Sequence, residues 1–162
     1  MRKVISNTTP LIGLADIGCF DVLQKLYEEI MIPAAVLEEV KSEPARTLVR
    51  NSDFIHVYPV KDSQSRKMFS SRLHAGEVEV MLLAEEKQAD LVIMDDNAAK
   101  KTAKFLGFKV TGTLGILLKA KKEGHINAIK PLVEKLQETG FYVSPKVKQY
   151  VLEEANELVN RG

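Results

Sequence analysis

The sequence predicts an α/β fold built on a parallel β-sheet, and its central part gives the clearest reason. Leu91–Met94 is apolar, flanked by Asp90 and Asp95, and too short for a buried helix, so it is predicted to be a buried strand. A helical spacing of small and apolar residues follows, Gly107 ends it, and Phe108–Val110 forms a second apolar run. Strand, helix and strand in this order make a βαβ unit, in which the two strands are parallel and the crossover is right-handed.

Two strand-then-helix segments near the N-terminus predict the same fold class. Val4–Ile5 is a short apolar run, and the two threonines before Pro10 are typical of the start of a helix. Ile30–Ile32 is the next predicted buried strand, and a helix is predicted over Pro33–Lys41. Because ligands of open α/β sheets bind at the carboxyl ends of the strands, polar residues that follow these strands are candidates for a site.

The remaining predicted elements are mostly helices. In chain order they are helices over Phe20–Tyr27 and Glu43–Arg50, an edge strand over Phe54–Tyr58, and helices over Glu77–Gln88, Thr113–Lys122, Asn127–Glu138 and Pro145–Asn160. The helix that starts at Glu77 is apolar nearly all round, which predicts burial on more than one side. The polar stretch Pro59–His74 has no helical or strand period, and is either a solvated loop or a basic flap over a nucleic-acid groove.

Length and composition are those of an ordinary globular domain. The chain has 162 residues, of which 45% are hydrophobic and 28% charged. Its 23 basic and 22 acidic residues give a net charge of +1, so no global field indicates a nucleic-acid partner. The single cysteine, Cys19, excludes an intrachain disulfide and a cysteine-based metal cluster.

The N-terminus has basic residues before an apolar stretch but does not have the pattern of a signal peptide. Polar residues 7–10 and Asp16 interrupt the apolar part, and no small-residue cleavage site follows. No run reaches the roughly 18 apolar residues that a membrane-spanning helix requires. We therefore expect a cytoplasmic protein without a membrane partner.

Oxygen-bearing side chains lie at the predicted strand ends and helix starts. They are Asn7, Glu39, Glu77, Asp95 and Asp96. Such a set, without cysteine or a histidine cluster, suits a hard cation such as Mg²⁺ or Mn²⁺, which also removes the repulsion among crowded carboxylates. Each acid has a plainer interpretation: Asp95 or Asp96 as a helix N-cap, at about even odds, and Glu77 as a favourable charge in a first helical turn.

Five motifs stand in this order in the chain: Asn7-Thr8-Thr9-Pro10-Leu11-Ile12, Ile32–Val40, Gly76-Glu77, Met94-Asp95-Asp96 and Gly112-Thr113-Leu114-Gly115. Together they resemble the PIN domain, the metal-dependent ribonuclease fold, over about residues 2–142. The resemblance implies a three-layer α/β/α sandwich on a parallel sheet of about five strands, with extra C-terminal helices. The expected division is a PIN-like domain over 1–142 and a C-terminal helix, 143–162, packed on it.

The resemblance also implies the roles of particular residues. Catalytic roles fall on Glu39, Glu77 and Asp96, and Mg²⁺ or Mn²⁺ would be bound by these three with Asn7 and Asp95. Nucleic-acid contacts would come from the Thr9 hydroxyl and from basic residues, which are Arg66, Lys67, Arg72, Lys100, Lys101 and Lys104. Many family members have aspartate where this chain has Asn7, whose amide oxygen can coordinate Mg²⁺ but adds no charge.

The sequence is therefore compatible with two functions. One is hydrolysis of RNA by a metal-activated water, with an antitoxin protein as a further partner if the chain is a toxin subunit, and with a homodimer as the expected assembly. The other is a PIN-like nucleic-acid-binding module that has lost catalysis, with Asn7 as the sign of that loss. A phosphorylation-dependent receiver domain fits less well, because it would place its acidic pair after the first strand, where this chain has Asn7.

Overall fold

The strands pair into one parallel sheet. The structure is a computed structural model that describes residues 2–60 and 75–158. The strands are β1 Val4–Ser6, β2 Ile30–Pro33, β3 Ile55–Tyr58, β4 Leu91–Ile93 and β5 Val110–Thr111. Within the described residues they form a five-stranded sheet in the order β3-β2-β1-β4-β5, with every pair parallel. Two strands are therefore added on each side of β1.

Helices flank this sheet. They are α1 Thr8–Asp16, α2 Asp21–Tyr27, α3 Ala34–Glu39, α4 Ala45–Asn51, α5 Ala75–Lys87, α6 Asn97–Phe105, α7 Thr113–Lys122, α8 Lys130–Glu138 and α9 Pro145–Glu154. The predicted three-layer α/β/α sandwich is confirmed. The described part of the chain has no helix long and apolar enough to cross a membrane.

The hydrophobic core lies on the central strands and on α5. All three residues of β1 and of β4 are buried, as expected for inner strands of a parallel sheet. In α5, nine consecutive residues from Gly76 to Ala84 are buried, so the prediction of burial on more than one side is confirmed. The predicted edge position of the strand ending at Tyr58 is also confirmed, since among the described strands β3 pairs with β2 alone.

The same helix-ending motif explains two of the differences between the predicted and the observed elements. Strand β5 begins at Val110 rather than Phe108, because the N–H of Phe108 donates to Ala103 O at 3.0 Å and Gly107 has φ +93°. These two features form a Schellman motif at the end of α6. Because the N–H of Phe108 completes this motif, it does not pair with a neighbouring strand. Helix α9 ends at Glu154 rather than Asn160 in the same way, with Asn156 at φ 59°.

Hydrogen bonds of Glu157 hold the segment that follows α9 against the rest of the protein. The carboxylate of Glu157 accepts the N–H groups of Ile129 and Lys130, at 2.7 and 2.8 Å, and the ammonium of Lys121 at 2.9 Å. Glu157 thereby supplies hydrogen-bond acceptors at the start of α8, where Ile129 itself provides no capping side chain. This explains why α8 begins at Lys130 rather than at the predicted Asn127.

Candidate active site

The register of the sheet brings the ends of β1 and β4 together. Ser6 pairs with Ile93, and the N–H of Asn7 donates to Ile93 O at 2.8 Å. Asn7 therefore lies beside the segment that contains Asp95. Because helices α1 and α6 begin next to these strand ends, their N-termini lie at the same edge, where the helix dipole favours negative charge.

Asn7 occupies the N-cap position of α1, but its side chain makes no capping hydrogen bond. It is 5% exposed, and within the described residues its Oδ1 is buried with no hydrogen-bond donor. Leaving a buried acceptor unpaired costs about 1–3 kcal/mol. An unpaired amide oxygen of this kind is a suitable ligand for a cation, since it offers lone pairs and needs no proton.

Glu39 is the last residue of α3, and two other elements hold its carboxylate. Thr8 Oγ1 donates to one oxygen at 2.8 Å, and the N–H of Gly76 donates to the other at 2.9 Å. A Cβ on residue 76 would lie 2.3 Å from a Glu39 oxygen, so the carboxylate approaches α5 through the space that a glycine leaves. Glu77 follows directly in the same first turn of α5 and is 6% exposed. The end of α3, which carries Glu39, and the first turn of α5, which carries Glu77, therefore lie next to each other.

Asp95 has a different environment, although its partners are of the same kind. Both of its oxygens are bound by Thr113, one by the N–H at 2.8 Å and one by the hydroxyl at 2.7 Å. Burial raises the pKa of the Asp95 carboxyl, and the two Thr113 hydrogen bonds and the nearby Lys100 ammonium oppose that rise. Gly112 makes room for the arrangement, because a Cβ there would lie 2.7 Å from Asp95 Oδ1 and 3.1 Å from Lys100 Nζ.

Asp96 is the N-cap of α6. Its Oδ2 accepts the N–H of Ala99 at 2.9 Å, and the residue is exposed. The N-cap interpretation thus holds for Asp96 and not for Asp95. One oxygen in a cap leaves the carboxylate at the surface of the same sheet edge, so the cap and a functional role are compatible.

The predicted nucleic-acid contacts are distributed unevenly. Lys101 and Lys104 are exposed on α6, whereas Lys100 is partly buried and directed toward Asp95. Thr9 is exposed at the start of α1. Arg66, Lys67 and Arg72 lie outside the described residues. These positions remain predictions.

Sequence reasoning missed the residues that hold the acids in place. The family resemblance assigned the functional hydroxyl to Thr9, but the hydroxyl that binds Glu39 is that of Thr8. In the sequence Thr113 stood out only as part of the Gly112-Thr113-Leu114-Gly115 motif and as the first residue of a predicted helix, and its contact with Asp95 spans 18 positions. Glu79, which accepts the N–H of Ala35 at 3.2 Å, gave no signal beyond being an acid among the apolar residues of its helix.

A groove at the opposite edge of the sheet is not part of this site. Its volume is about 630 Å³, and it is lined by Arg2, Ala89, Asp90, Gly107 and Lys109, which precede strands β1, β4 and β5. Asp90 there accepts the N–H of Lys3 at 2.6 Å. Helices α5 and α6 end near this edge, and the negative ends of their dipoles disfavour a bound anion.

The described residues form an α/β/α fold on a parallel five-stranded sheet with acids at its carboxyl edge. A family model described as DUF3368, a PIN domain, matches residues 3–157. The chain therefore belongs to the PIN-domain family. No curated protein matches the chain. PIN domains are generally nucleases, and they typically use divalent metal ions.

The residues at the carboxyl edge fit a divalent ion in kind. Their donors are all oxygens, and the unpaired Oδ1 of Asn7 lacks the proton donor that a purely structural amide would have. Among the residues that the structure describes, no three acidic, histidine or cysteine side chains are arranged to hold an ion. Hydroxyl and amide donors occupy Glu39 and Asp95 instead.

Proposed function

We propose that this chain is a metal-dependent ribonuclease that hydrolyses RNA phosphodiester bonds. The observation that supports this most directly is the buried, unpaired Oδ1 of Asn7, at the edge where Glu39 is fixed and where α6 begins with Asp96. Most buried side-chain acceptors in proteins have a hydrogen-bond partner, so an unpaired one at an acidic edge supports a bound ligand there.

In this proposal Asn7, Glu39, Glu77 and Asp96 hold one or two Mg²⁺ or Mn²⁺ ions. When bound, the ion lowers the pKa of a water and neutralises charge on the phosphodiester. Thr8 and Gly76 keep the Glu39 carboxylate in one orientation through hydrogen bonds to both of its oxygens. We place Asp95 beside the ion rather than on it, because its carboxylate is mostly enclosed with both oxygens bound by Thr113, whereas the carboxylate of Glu39 is exposed.

The substrate contacts of this proposal are the exposed basic residues of α6. Lys101 and Lys104 are on the helix that Asp96 caps, Lys104 in its last turn, so a nucleic-acid strand that runs along α6 from the acids would contact both. Thr9 is exposed beside Asn7 and would donate a hydroxyl to the same strand. Arg66, Lys67 and Arg72, which lie outside the described residues, are proposed as further contacts with the nucleic acid.

Cleavage of single-stranded RNA by the purified protein tests the proposal. We expect cleavage with Mg²⁺ or Mn²⁺, none with EDTA, and none by Glu39→Gln. Glu38→Gln is the matched control, since Glu38 is the exposed neighbour on the same helix, and it should cleave normally. Full activity in EDTA, or equal activity of the two variants, contradicts the metal assignment.

A second function, a catalytically inactive nucleic-acid-binding module, is favoured by Asn7 itself. An amide in place of a carboxylate removes one negative charge from the ion's surroundings. The sequence change Asn7→Asp distinguishes the two functions. We expect it to tighten metal binding, and without metal to destabilise the fold by adding a like charge to the edge.

The readout of this experiment is the thermal midpoint during a Mg²⁺ titration. If Asn7 contacts the ion, the stability difference between the natural and Asn7→Asp proteins changes sign as metal is added. Metal-dependent cleavage by the natural protein excludes the inactive module, whereas cleavage that appears only in Asn7→Asp establishes it. Identical metal dependence of both proteins would mean that Asn7 lies outside the site.

The partners of the ribonuclease are proposals of the same kind. We propose RNA as substrate, an antitoxin protein as inhibitor if the chain is the toxin of a toxin–antitoxin pair, and a homodimer in the cytoplasm. The aromatic side chains of Phe105 and Tyr142, 88% and 82% exposed, are suited to a protein contact. Light scattering after size exclusion decides the homodimer, and Phe105→Ser with Tyr142→Ser should dissociate it if these residues form the contact.

A further inference from the structure

Glu79 is a buried acid that the proposed reaction does not use. It lies on α5, is 8% exposed, and accepts the N–H of Ala35 at 3.2 Å. Ala35 is the second residue of α3, whose N-cap is Pro33 and makes no side-chain cap. The first N–H groups of a helix have no acceptor within it, so Glu79 supplies from a neighbouring helix what the N-terminus of α3 lacks.

The first turns of α5 thus contact both ends of α3. Gly76 donates to Glu39 at the end of α3, and Glu79 accepts from Ala35 at its beginning. Gly76 and Glu79 are three residues apart and share one face of α5. Because the start of α5 meets the end of α3, the two helices run antiparallel. The hydrogen bonds that Gly76 and Glu79 make from this face of α5 therefore hold α3 at its two ends.

Helix α3 depends on such contacts. It has six residues, whereas isolated helices shorter than about 12 residues are marginal in water. Its length is about 9 Å, so it moves as one unit, and a shift of its first turn is transmitted to its last residue. That last residue is Glu39, whose two oxygens must meet the Thr8 hydroxyl and the Gly76 N–H together.

We propose that Glu79 is a positioning residue, which places Glu39 at the candidate site by fixing the N-terminus of α3. The inference rests on the proposed function for its link to metal binding, and on the hydrogen bonds alone for its link to Glu39. Thr8 and Gly76 orient the carboxylate directly, and Glu79 sets the helix from which that carboxylate extends. The acid is buried because α3 and α5 pack together at this point.

Two variants separate reach from charge at this position. Glu79→Gln keeps the length of the side chain and an oxygen acceptor but loses the charge. Glu79→Asp keeps the charge but is one methylene shorter, so its carboxylate withdraws from the N–H of Ala35. Glu85→Gln and Glu85→Asp are matched controls, because Glu85 is an exposed glutamate on the same helix.

Two measurements follow Glu39 without any cleavage assay. The first is the amide NMR signal of Gly76, which reports the hydrogen bond to Glu39, together with that of Ala35. The second is Mn²⁺ affinity, measured by electron paramagnetic resonance. We expect Glu79→Asp to move both amide signals and to weaken Mn²⁺ binding about 10-fold, as loss of an outer-shell partner typically does. Glu79→Gln should leave the Gly76 signal and the affinity close to those of the natural protein.

The opposite ranking, with Gln impaired and Asp normal, would show that the charge of Glu79 matters and not its contact with Ala35. If the Glu79 variants change only the melting temperature, and neither the Gly76 signal nor the Mn²⁺ affinity, Glu79 is a packing contact and the proposal is wrong. If Glu79→Asp does not fold, Glu79→Gln decides, because lost Mn²⁺ affinity in a variant that keeps the acceptor contradicts positioning through Ala35. A natural protein that binds no Mn²⁺ overturns the proposed function alone, and the Gly76 signal still tests the positioning of Glu39.

Discussion

The carboxylates of Glu39 and Asp95 are held by the same kind of arrangement in different surroundings. Each accepts one hydroxyl and one backbone N–H, from Thr8 and Gly76 in one case and from Thr113 alone in the other. Each also approaches a glycine, Gly76 or Gly112, whose missing Cβ leaves the necessary space. Glu39 is exposed, whereas Asp95 is mostly enclosed and has a raised pKa caused by burial.

This difference teaches how to divide acids at one sheet edge between function and structure. An exposed carboxylate can exchange its hydrogen bonds for water or for an ion at small cost, because it already borders the solvent. An enclosed carboxylate cannot, since both it and its donors would be left unpaired. We therefore expect Glu39 to govern activity and Asp95 to govern stability.

The largest expected effect comes from removing each carboxylate. Asp95→Ala leaves the N–H and hydroxyl of the buried Thr113 without an acceptor, which should lower the free energy of unfolding by about 2–4 kcal/mol. Glu39→Ala should cost less, about 0.5–1.5 kcal/mol, because the carboxylate is exposed and the N–H of Gly76 is the one buried donor that loses its acceptor. It should nevertheless abolish RNA cleavage. Urea unfolding beside a cleavage assay checks both. Equal stability losses would remove the distinction between the two acids.

How far the sequence predicts this molecule depends on whether a signal is local. Strand β4 and helix α7 are predicted to within one residue, because a bounded apolar run and a threonine–glycine start are local patterns. The end of α9 was missed because Asn156 stops the helix in a left-handed conformation that is more often adopted by glycine.

The candidate site divides in the same way. The position of Asn7 and Asp95 at strand ends follows from the βαβ pattern, and the register of β1 with β4 agrees with it. Thr113, which binds Asp95, is 18 positions away from it in the sequence. Glu79, which accepts the N–H of Ala35 at the start of α3, is 44 positions away from Ala35. No periodicity within one chain specifies such pairs, so they required the structure.

The second prediction exchanges each glycine for alanine. In Gly112→Ala the new Cβ meets the enclosed Asp95, and also the backbone oxygen of Met94 at 3.3 Å, so we expect a loss of about 2 kcal/mol. In Gly76→Ala the atoms nearest to the new Cβ are those at the end of the Glu39 side chain, which can swing into solvent. Helix propensity then favours alanine by about 1 kcal/mol, so stability should hold while activity falls. Thermal unfolding with a cleavage assay tests this, and an active Gly76→Ala would contradict the role of Glu39.

The third prediction concerns Asp96, which is neither enclosed like Asp95 nor held from two sides like Glu39. Asp96→Ala removes the N-cap of α6 and should cost about 0.5–2 kcal/mol. Asp96→Asn keeps a good capping residue, so the melting temperature should be unchanged or raised while cleavage is lost. If Asp96→Asn cleaves RNA normally, Asp96 is only a cap, and its place among the proposed metal ligands is wrong.

The smallest effect is a pH dependence that arises from Asp95. Burial raises the pKa of this carboxyl in the folded protein, so it holds its proton at pH values where the unfolded chain, with a pKa of about 4, has released it. Stability from this group is therefore greatest below that window and falls as pH rises through it, by up to about 1.4 kcal/mol per pH unit. Asp95→Asn removes the titration, so the melting temperature of the natural protein relative to Asp95→Asn should decline from pH 4 upward. Thr113→Val removes a hydrogen bond that opposes the rise in pKa, and should move the decline to higher pH. A difference that stays flat, or that grows in favour of the natural protein as pH rises, would show that Asp95 is not penalised by burial.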